Sequence, residues 1–142
     1  MRALLEVNAL IALSDENPPF RSVMRGCRER HRSGWASRPT TQNGFARVVS
    51  QPSYAGSLTT AEALDVLDRA TSQPSHEFWP DDLSLIDQTQ VDRLYLVGPK
   101  QLTDIYLLAL AVKHAGCLFT FDRSIPLLAA HGAEQHQLVI PR

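Results

Sequence analysis

Short apolar runs that alternate with helix-forming segments are the feature of this chain that most constrains its fold. Most of these runs lack the alternating polar residues of a strand that faces water on one side. Strands buried on both faces have this composition, and their alternation with helices is typical of a mostly parallel sheet covered on two faces. We therefore expect an α/β fold. The predicted strands are residues 3–7, 34–36, 76–80, 118–121 and 138–140.

Helix start and stop signals occupy the segments between these strands. Thr59 and Glu62 form a capping-box pattern, which predicts a helix that continues to about residue 71. Asn8 and Thr103 are placed to cap two further helices, and Gly116 is placed to end the second of them. The predicted helices are residues 9–13, 20–32, 41–50, 59–71, 84–96, 104–114 and 125–130.

The composition bounds the class of protein. A length of 142 residues is that of one domain, so we expect a single domain over residues 1–142. The net charge of -1 favours no partner, but residues 1–50 carry eight bases and four acids, which permits a local anion-binding face.

Two cysteines exclude a disulfide-dense scaffold, and the longest apolar run, 105–112, is too short to span a bilayer. We expect a cytoplasmic protein with no membrane contact.

Three acidic residues lie beside the predicted strand ends. Glu6 ends the first strand, Asp122 follows the strand at 118–121, and Asp104 opens the helix behind Thr103. Because ligands of parallel sheets bind beyond the carboxyl ends of the strands, we expect these side chains to converge. Convergent carboxylates repel one another unless a cation lies among them, and Mg²⁺ or Mn²⁺ is usual in an all-oxygen site.

Each of these acids also has a structural explanation. Asp104 interacts favourably with a helix dipole whatever the protein does, and Asp122 fits as the cap of a short helix. Glu6 is harder to explain by structure alone, because an acid within an apolar strand is costly unless it is paired. Taken together, the three acids favour a functional site.

Five segments in order along the chain resemble PIN-domain ribonucleases, and specifically the VapC toxins of type II toxin–antitoxin modules. The resemblance runs from residue 1 to about residue 140 and implies a PIN-like three-layer α/β/α sandwich. The segments are LLEVNALIAL at 4–13, TQNGFARV at 41–48, FWPDD at 78–82, QLTDIYLLALA at 101–111 and TFDR at 120–123.

The resemblance implies a Mg²⁺- or Mn²⁺-dependent endoribonuclease in which clustered acids hold metal and activate water. Asp104 and Asp122 match the third and fourth acids of the family. Glu6 stands where the family usually has Asp, and Gln42 stands where Glu often precedes Asn-Gly-Phe. Glu6 places its carboxylate about 1.5 Å further from the backbone than Asp would. Gln42 removes a negative charge, so we expect weaker metal binding, with Mn²⁺ tolerated better than Mg²⁺.

Roles follow for the residues around the acids. Glu6 and Asp104 are expected to bind the ion, while Asp122 completes its shell or positions the attacking water. Because water is the nucleophile in this scheme, the products would carry a 5′-phosphate. The side chains expected to orient Glu6 or to contact RNA are Asn8, Thr120, Arg123 and Arg47.

The resemblance also implies partners. Toxins of this type are paired with an antitoxin and form homodimers, and the apolar face of the predicted basic helix at 20–32 is a candidate partner surface. Asp81 and Asp82 cap a helix from Ser84 or lie close enough to the site to compensate for Gln42.

Two other classes of function remain open at this stage. Glu6 and Gln42 motivate a PIN-like protein that binds RNA or antitoxin without turnover. A phosphotransfer domain on a similar sheet is disfavoured, because its nucleophile would be Asp where this chain has Glu6.

Overall fold

The strands form one sheet in which every neighbouring pair is parallel, in the order β3-β2-β1-β4-β5. The computed structural model describes residues 1–14 and 34–140. Five parallel strands confirm the predicted α/β fold and its mostly parallel sheet. The strands are β1 Ala3–Leu5, β2 Trp35–Ser37, β3 His76–Phe78, β4 Cys117–Phe119 and β5 Leu138–Val139.

Helices pack on both faces of the sheet and complete three layers. The helices are α1 Val7–Ser14, α2 Pro39–Val49, α3 Thr60–Thr71 and α4 Leu102–Lys113. Successive strand residues point to opposite faces. Leu5 and Phe119 therefore pack with α1, α2 and α3, whereas Leu4 and Leu118 pack with α4 on the other face. Strands β1, β2 and β4 are buried throughout, which explains their continuous apolar runs, whereas β3 is largely exposed and departs from the expected buried strand.

The capping-box prediction for α3 is confirmed, and the predicted caps of two other helices are wrong. Thr59 Oγ1 accepts a hydrogen bond from the Glu62 N–H at 3.1 Å, and the Glu62 side chain accepts one from the Thr59 N–H. Helix α1 begins at Val7, so Asn8 lies inside it and Glu6 takes the cap position. Helix α4 begins at Leu102, after a 3₁₀ turn, which places Thr103 inside its first turn.

The predicted helices at 84–96 and 125–130 are absent from the structure. The first segment contains two short turns, at 85–86 and 88–90, and a single 3₁₀ turn at Arg93–Tyr95. Asp87 accepts hydrogen bonds from the Thr89 N–H and hydroxyl, and Asp92 accepts one from the Leu94 N–H. Such local side-chain bonds compete with helix formation. The second segment contains only the 3₁₀ turn Leu127–Ala129.

Helix α4 ends close to the predicted stop, but the glycine has a different role. Ala115 adopts the left-handed conformation (φ 54°), and the Gly116 N–H donates to the Ala111 carbonyl at 2.7 Å, as in a Schellman motif. Gly116 is required by packing instead. A Cβ atom there would lie 2.5 Å from the Trp79 ring and 2.6 Å from the Arg2 carbonyl oxygen.

Two further sequence predictions concern the basic helix at 20–32 and the absence of a membrane-spanning segment. The basic helix at 20–32, with its apolar partner face, lies outside the described residues. Among the described helices, none has both the length and the apolar character needed to cross a membrane.

Candidate active site

Glu6, Asp104 and Asp122, here called the acid cluster, lie at one edge of the sheet. Glu6 directly follows β1, and Asp122 follows the neighbouring strand β4 by three residues. Asp104 belongs to the first turn of α4, which packs on these two strands. The charges of Asp104 and Asp122 both act on Glu6, and the Asp104 and Asp122 side chains are hydrogen-bonded to each other. The three carboxyl groups therefore form one electrostatic unit.

Two of the three carboxyl groups hold their protons more tightly than usual. Burial raises the pKa of Glu6 to about 7, and the charges of Asp104 and Asp122 add to the rise. Burial raises the pKa of Asp104 to about 6, with a further contribution from the charge of Asp122. Burial and the repulsion between the carboxyl groups both disfavour the ionised form.

Asp122 is the member of the acid cluster that ionises most readily. Its Oδ1 accepts hydrogen bonds from the Ser124 hydroxyl at 2.6 Å and the Ser124 N–H at 2.8 Å, which lower the pKa of Asp122. The Asp122 N–H donates in turn to Thr120 Oγ1 at 3.1 Å. Because the pKa of Asp104 is raised and that of Asp122 lowered, Asp104 is protonated before Asp122 as the pH falls.

Glu6 has a structural partner that the sequence did not reveal. Its Oε1 accepts a hydrogen bond from the Ala9 N–H at 3.1 Å, and the Asn8 N–H also contributes to lowering its pKa. Glu6 therefore caps α1 and lies just beyond the apolar strand. The part of Asn8 that contacts Glu6 is its backbone N–H, while the Asn8 side chain is exposed.

Gln42 belongs to a hydrogen-bonded chain on the opposite face of the sheet from α4. Its Nε2 donates to Ser37 Oγ at 2.9 Å, and Ser37 Oγ lies 2.8 Å from His76 Nε2. Burial lowers the pKa of His76, which favours the neutral form of the ring. The described hydrogen bond of the Gln42 side chain thus goes to β2 and not to an acid.

Arg38, Thr40, Asp81 and Tyr106, here called the arginine cluster, occupy the same edge beside β2. Arg38 is only 5% exposed, and its Nη1 lies 2.9 Å from Asp81 Oδ1. Asp81 also accepts hydrogen bonds from the Thr40 hydroxyl at 3.0 Å and the Tyr106 hydroxyl at 3.2 Å. The guanidinium lies over the Tyr106 ring, 5.2 Å from its centroid. Sequence reasoning missed Arg38, whose only signal was its place at a strand end.

Asp81 and Asp82 both form ion pairs within the fold. Asp81 belongs to the arginine cluster, and Asp82 lies 3.1 Å from His114 and 3.5 Å from Lys113. The prediction that this pair caps a helix from Ser84 is wrong, because that segment forms no helix. The alternative, compensation for Gln42, finds no support in these contacts.

The remaining predicted site residues differ in exposure. Thr120 is only 1% exposed, and its hydroxyl holds the Asp122 backbone. Arg123 is exposed directly beside Asp122, and Arg47 is exposed in the last turn of α2.

The donor set of the acid cluster fits a hard divalent cation. Carboxylate oxygens are the protein ligands that Mg²⁺ and Mn²⁺ prefer, and a cation would offset both the burial and the mutual repulsion that raise the pKa values of Glu6 and Asp104. Within residues 1–14 and 34–140, however, no three His, Cys, Asp or Glu side chains are already arranged to coordinate one ion. Metal binding at this edge therefore requires the side chains to adjust.

Taken together, the fold and this edge define a parallel α/β protein with acids gathered beyond the strand ends, where such proteins bind ligands. The chain is 49% identical to ribonuclease VapC44 of Mycobacterium tuberculosis over 142 residues, covering 97% of this chain and 98% of the relative. It is 38% identical to ribonuclease VapC39 of the same species over 134 residues, covering 93% and 96%. The chain therefore belongs to the VapC ribonuclease family, which confirms the resemblance to VapC-type PIN-domain toxins. A scan against protein-family profiles found no match.

Proposed function

We propose that this chain is a metal-dependent endoribonuclease and the toxin of a toxin–antitoxin pair. In this proposal it hydrolyses RNA phosphodiester bonds with Mg²⁺ or Mn²⁺ held by the acid cluster. The observation that carries the metal dependence is the gathering of three carboxyl groups at one edge of the sheet, where burial and mutual repulsion raise the pKa values of Glu6 and Asp104. Membership of the VapC family supports the ribonuclease activity.

Each residue of the acid cluster has a distinct role in this proposal. A bound divalent cation supplies Lewis acidity and lowers the pKa of a coordinated water. Asp122 contributes a carboxylate that is already ionised, because Ser124 holds its Oδ1. Asp104 loses its proton when positive charge binds, and Glu6 is oriented by the N–H groups at the start of α1.

The neighbouring residues support substrate binding and geometry. Arg123 is exposed beside Asp122, so we assign it the phosphate contact, with Arg47 as a more distant contact to RNA. Thr120 is buried, and we assign it the positioning of the Asp122 backbone. Gln42 adds no charge and is held by Ser37, which is consistent with a weakened metal site.

The proposal extends to partners and location. Because the chain belongs to the VapC family, we also propose that it acts on RNA and is paired with an antitoxin. The homodimer, the cytoplasmic location and products with a 5′-phosphate stay predictions from the sequence.

A cleavage assay on fluorescent RNA tests the proposal. The wild-type protein is expected to cleave with Mg²⁺ or Mn²⁺ and to stop in EDTA. Asp104→Asn is expected to lose about a hundredfold or more in rate, because it removes a charge on which metal binding depends. Asp65→Asn is the matched control, since Asp65 is an exposed aspartate of α3 outside the acid cluster. Cleavage that persists in EDTA would contradict metal dependence, and RNA binding without product at any metal concentration would indicate the non-catalytic alternative.

A further inference from the structure

A pocket of about 540 Å³ opens between α2 and α3, next to the carboxyl end of β3. Its size lies within the usual range of small-molecule sites. The walls combine apolar side chains with a few polar groups, and neither the acid cluster nor the arginine cluster contributes to it. The residues that matter here are Pro39, Gln42, Asn43, Leu64, Asp68 and Phe78.

The apolar part of the pocket offers a surface for a flat ring. Phe78 ends β3 and is 52% exposed, and Leu64 on α3 is 59% exposed. Large hydrophobic side chains that stay this exposed beside a pocket are typical of a binding surface. An exposed aromatic ring is also the usual platform on which proteins stack unpaired nucleobases.

The polar part of the pocket is rich in hydrogen-bond acceptors. Gln42 Nε2 donates to Ser37, and the Gln42 amide also carries an acceptor atom, Oε1. Asp68 adds a carboxylate from α3, and Asn43 adds an amide that both donates and accepts. A carboxylate in the pocket disfavours an incoming phosphate group and favours a ligand with N–H donors.

Among the four RNA bases, guanine matches this set of acceptors best. Its Watson–Crick edge presents N1–H and N2–H₂ side by side, so one carboxylate accepts both, and its O6 accepts from an amide donor. Adenine and cytosine each present one amino group beside an acceptor nitrogen. Uracil presents one N–H between two carbonyl groups, which a carboxylate repels.

The pocket lies along the same edge of the sheet as the acid cluster. Phe78 is paired in register with Ser37, the last residue of β2, and β2 adjoins β1, which Glu6 follows. Neighbouring strands are about 4.8 Å apart, so the ends of β3 and β1 are about 10 Å apart. A short stretch of single-stranded RNA therefore spans the distance from the pocket to the acids.

We propose that this pocket is a base-binding subsite that holds an unpaired guanine of the RNA near the cleaved bond. Phe78 stacks on the base, and Asp68 accepts hydrogen bonds from its Watson–Crick edge. This inference rests on the proposed ribonuclease function and adds the base preference of that same site.

Short RNA substrates that differ in one base test the subsite. Oligonucleotides with G, A, C or U at each position around the cleaved bond are compared by kcat/KM. Wild type is expected to prefer G at one position by about tenfold, and Asp68→Asn to lose that preference. Phe78→Ala is expected to raise KM about tenfold for all bases with kcat unchanged, and Phe78→Tyr to restore it. Asp65→Asn, on the same helix outside the pocket, is expected to behave as wild type.

Several results would overturn the subsite. One is a base preference that survives both Asp68→Asn and Phe78→Ala. Another is a change of oligomeric state in Phe78→Ala with unaltered base preference, which would make the pocket an interface between copies. If the wild-type protein cleaves no RNA, the ribonuclease proposal fails separately. Fluorescence anisotropy with the same oligonucleotides in EDTA then measures RNA binding without cleavage. Guanine-selective binding that Asp68→Asn removes supports the subsite. Binding without base selectivity overturns it.

Discussion

The arginine cluster and the acid cluster lie along the same edge of the sheet, and the electrostatic surroundings of their acids are opposite. Asp81 of the arginine cluster accepts hydrogen bonds from three side chains, one of them a buried guanidinium. Glu6 and Asp104 of the acid cluster face other carboxyl groups, and their pKa values are raised to about 7 and about 6. The contacts of Asp81 stabilise the fold, whereas the mutual repulsion within the acid cluster destabilises it. The acid cluster is therefore the candidate for function.

The largest expected difference between the two clusters is in RNA cleavage. Asp122→Asn removes the ionised carboxylate of the acid cluster and is expected to lower the cleavage rate about a hundredfold or more. Asp81→Asn is expected to change it less than about tenfold, measured below the melting temperature of the variant. Equal losses in both variants would mean that the two clusters do not differ in function.

Stability is expected to show the reverse order. Asp81→Asn leaves the buried Arg38 guanidinium without its counter-charge and is expected to lower the free energy of unfolding by about 2 kcal/mol. Asp104→Asn relieves repulsion and is expected to stabilise the metal-free protein. Urea denaturation in EDTA measures both, with Asp65→Asn expected within about 0.5 kcal/mol of wild type. A destabilised Asp104→Asn would contradict the charge argument.

The pH dependence of stability distinguishes the clusters further. The pKa of Glu6 rises from its ordinary 4.5 to about 7, and that of Asp104 from 3.8 to about 6, so the folded state binds protons more tightly. Stability of the metal-free protein is therefore expected to fall between about pH 4 and pH 7, by about 1–2 kcal/mol after allowance for solvent screening. The double variant Glu6→Gln, Asp104→Asn is expected to lose this slope. An unchanged slope would place its origin elsewhere.

The smallest expected effects come from restoring the acids that the family usually has. Asp caps helices well, so Glu6→Asp is expected to keep the cap of α1. Gln42→Glu adds a negative charge next to Ser37. Each is expected to raise the cleavage rate with Mg²⁺ by less than tenfold and to reduce the advantage of Mn²⁺. Gln42→Glu also removes the donor to Ser37 and is expected to raise the pKa of His76, which NMR titration would show. No gain in rate from either variant would mean that Glu6 and Gln42 do not weaken the site.

Local signals predicted the sheet, and contacts distant in sequence decided what the prediction missed. The parallel strands and the Thr59 capping box depend on neighbouring residues, and both are as predicted. The predicted helix at 84–96 was wrong because Asp87 and Asp92 bond to nearby backbone groups instead. The arginine cluster joins Arg38 to Asp81, 43 residues away, and no periodicity reveals such a pair.

Local patterns also predicted where the site residues lie along the chain, but not which groups their side chains contact. The position of each acid beside a strand end or a helix start followed from the strand and helix pattern. The roles of their neighbours did not, because they depend on side-chain direction. Glu6 bonds to the start of its own helix, and Gln42 bonds to Ser37.

Calorimetric titration of the metal-free protein with Mn²⁺ tests the central claim most directly. Wild type and Asp65→Asn are expected to bind the ion with release of protons at pH 6, since Glu6 and Asp104 are partly protonated there. Asp104→Asn and Asp122→Asn are expected to bind at least tenfold more weakly. Equal Mn²⁺ affinity in all four proteins would contradict a divalent cation held by Glu6, Asp104 and Asp122.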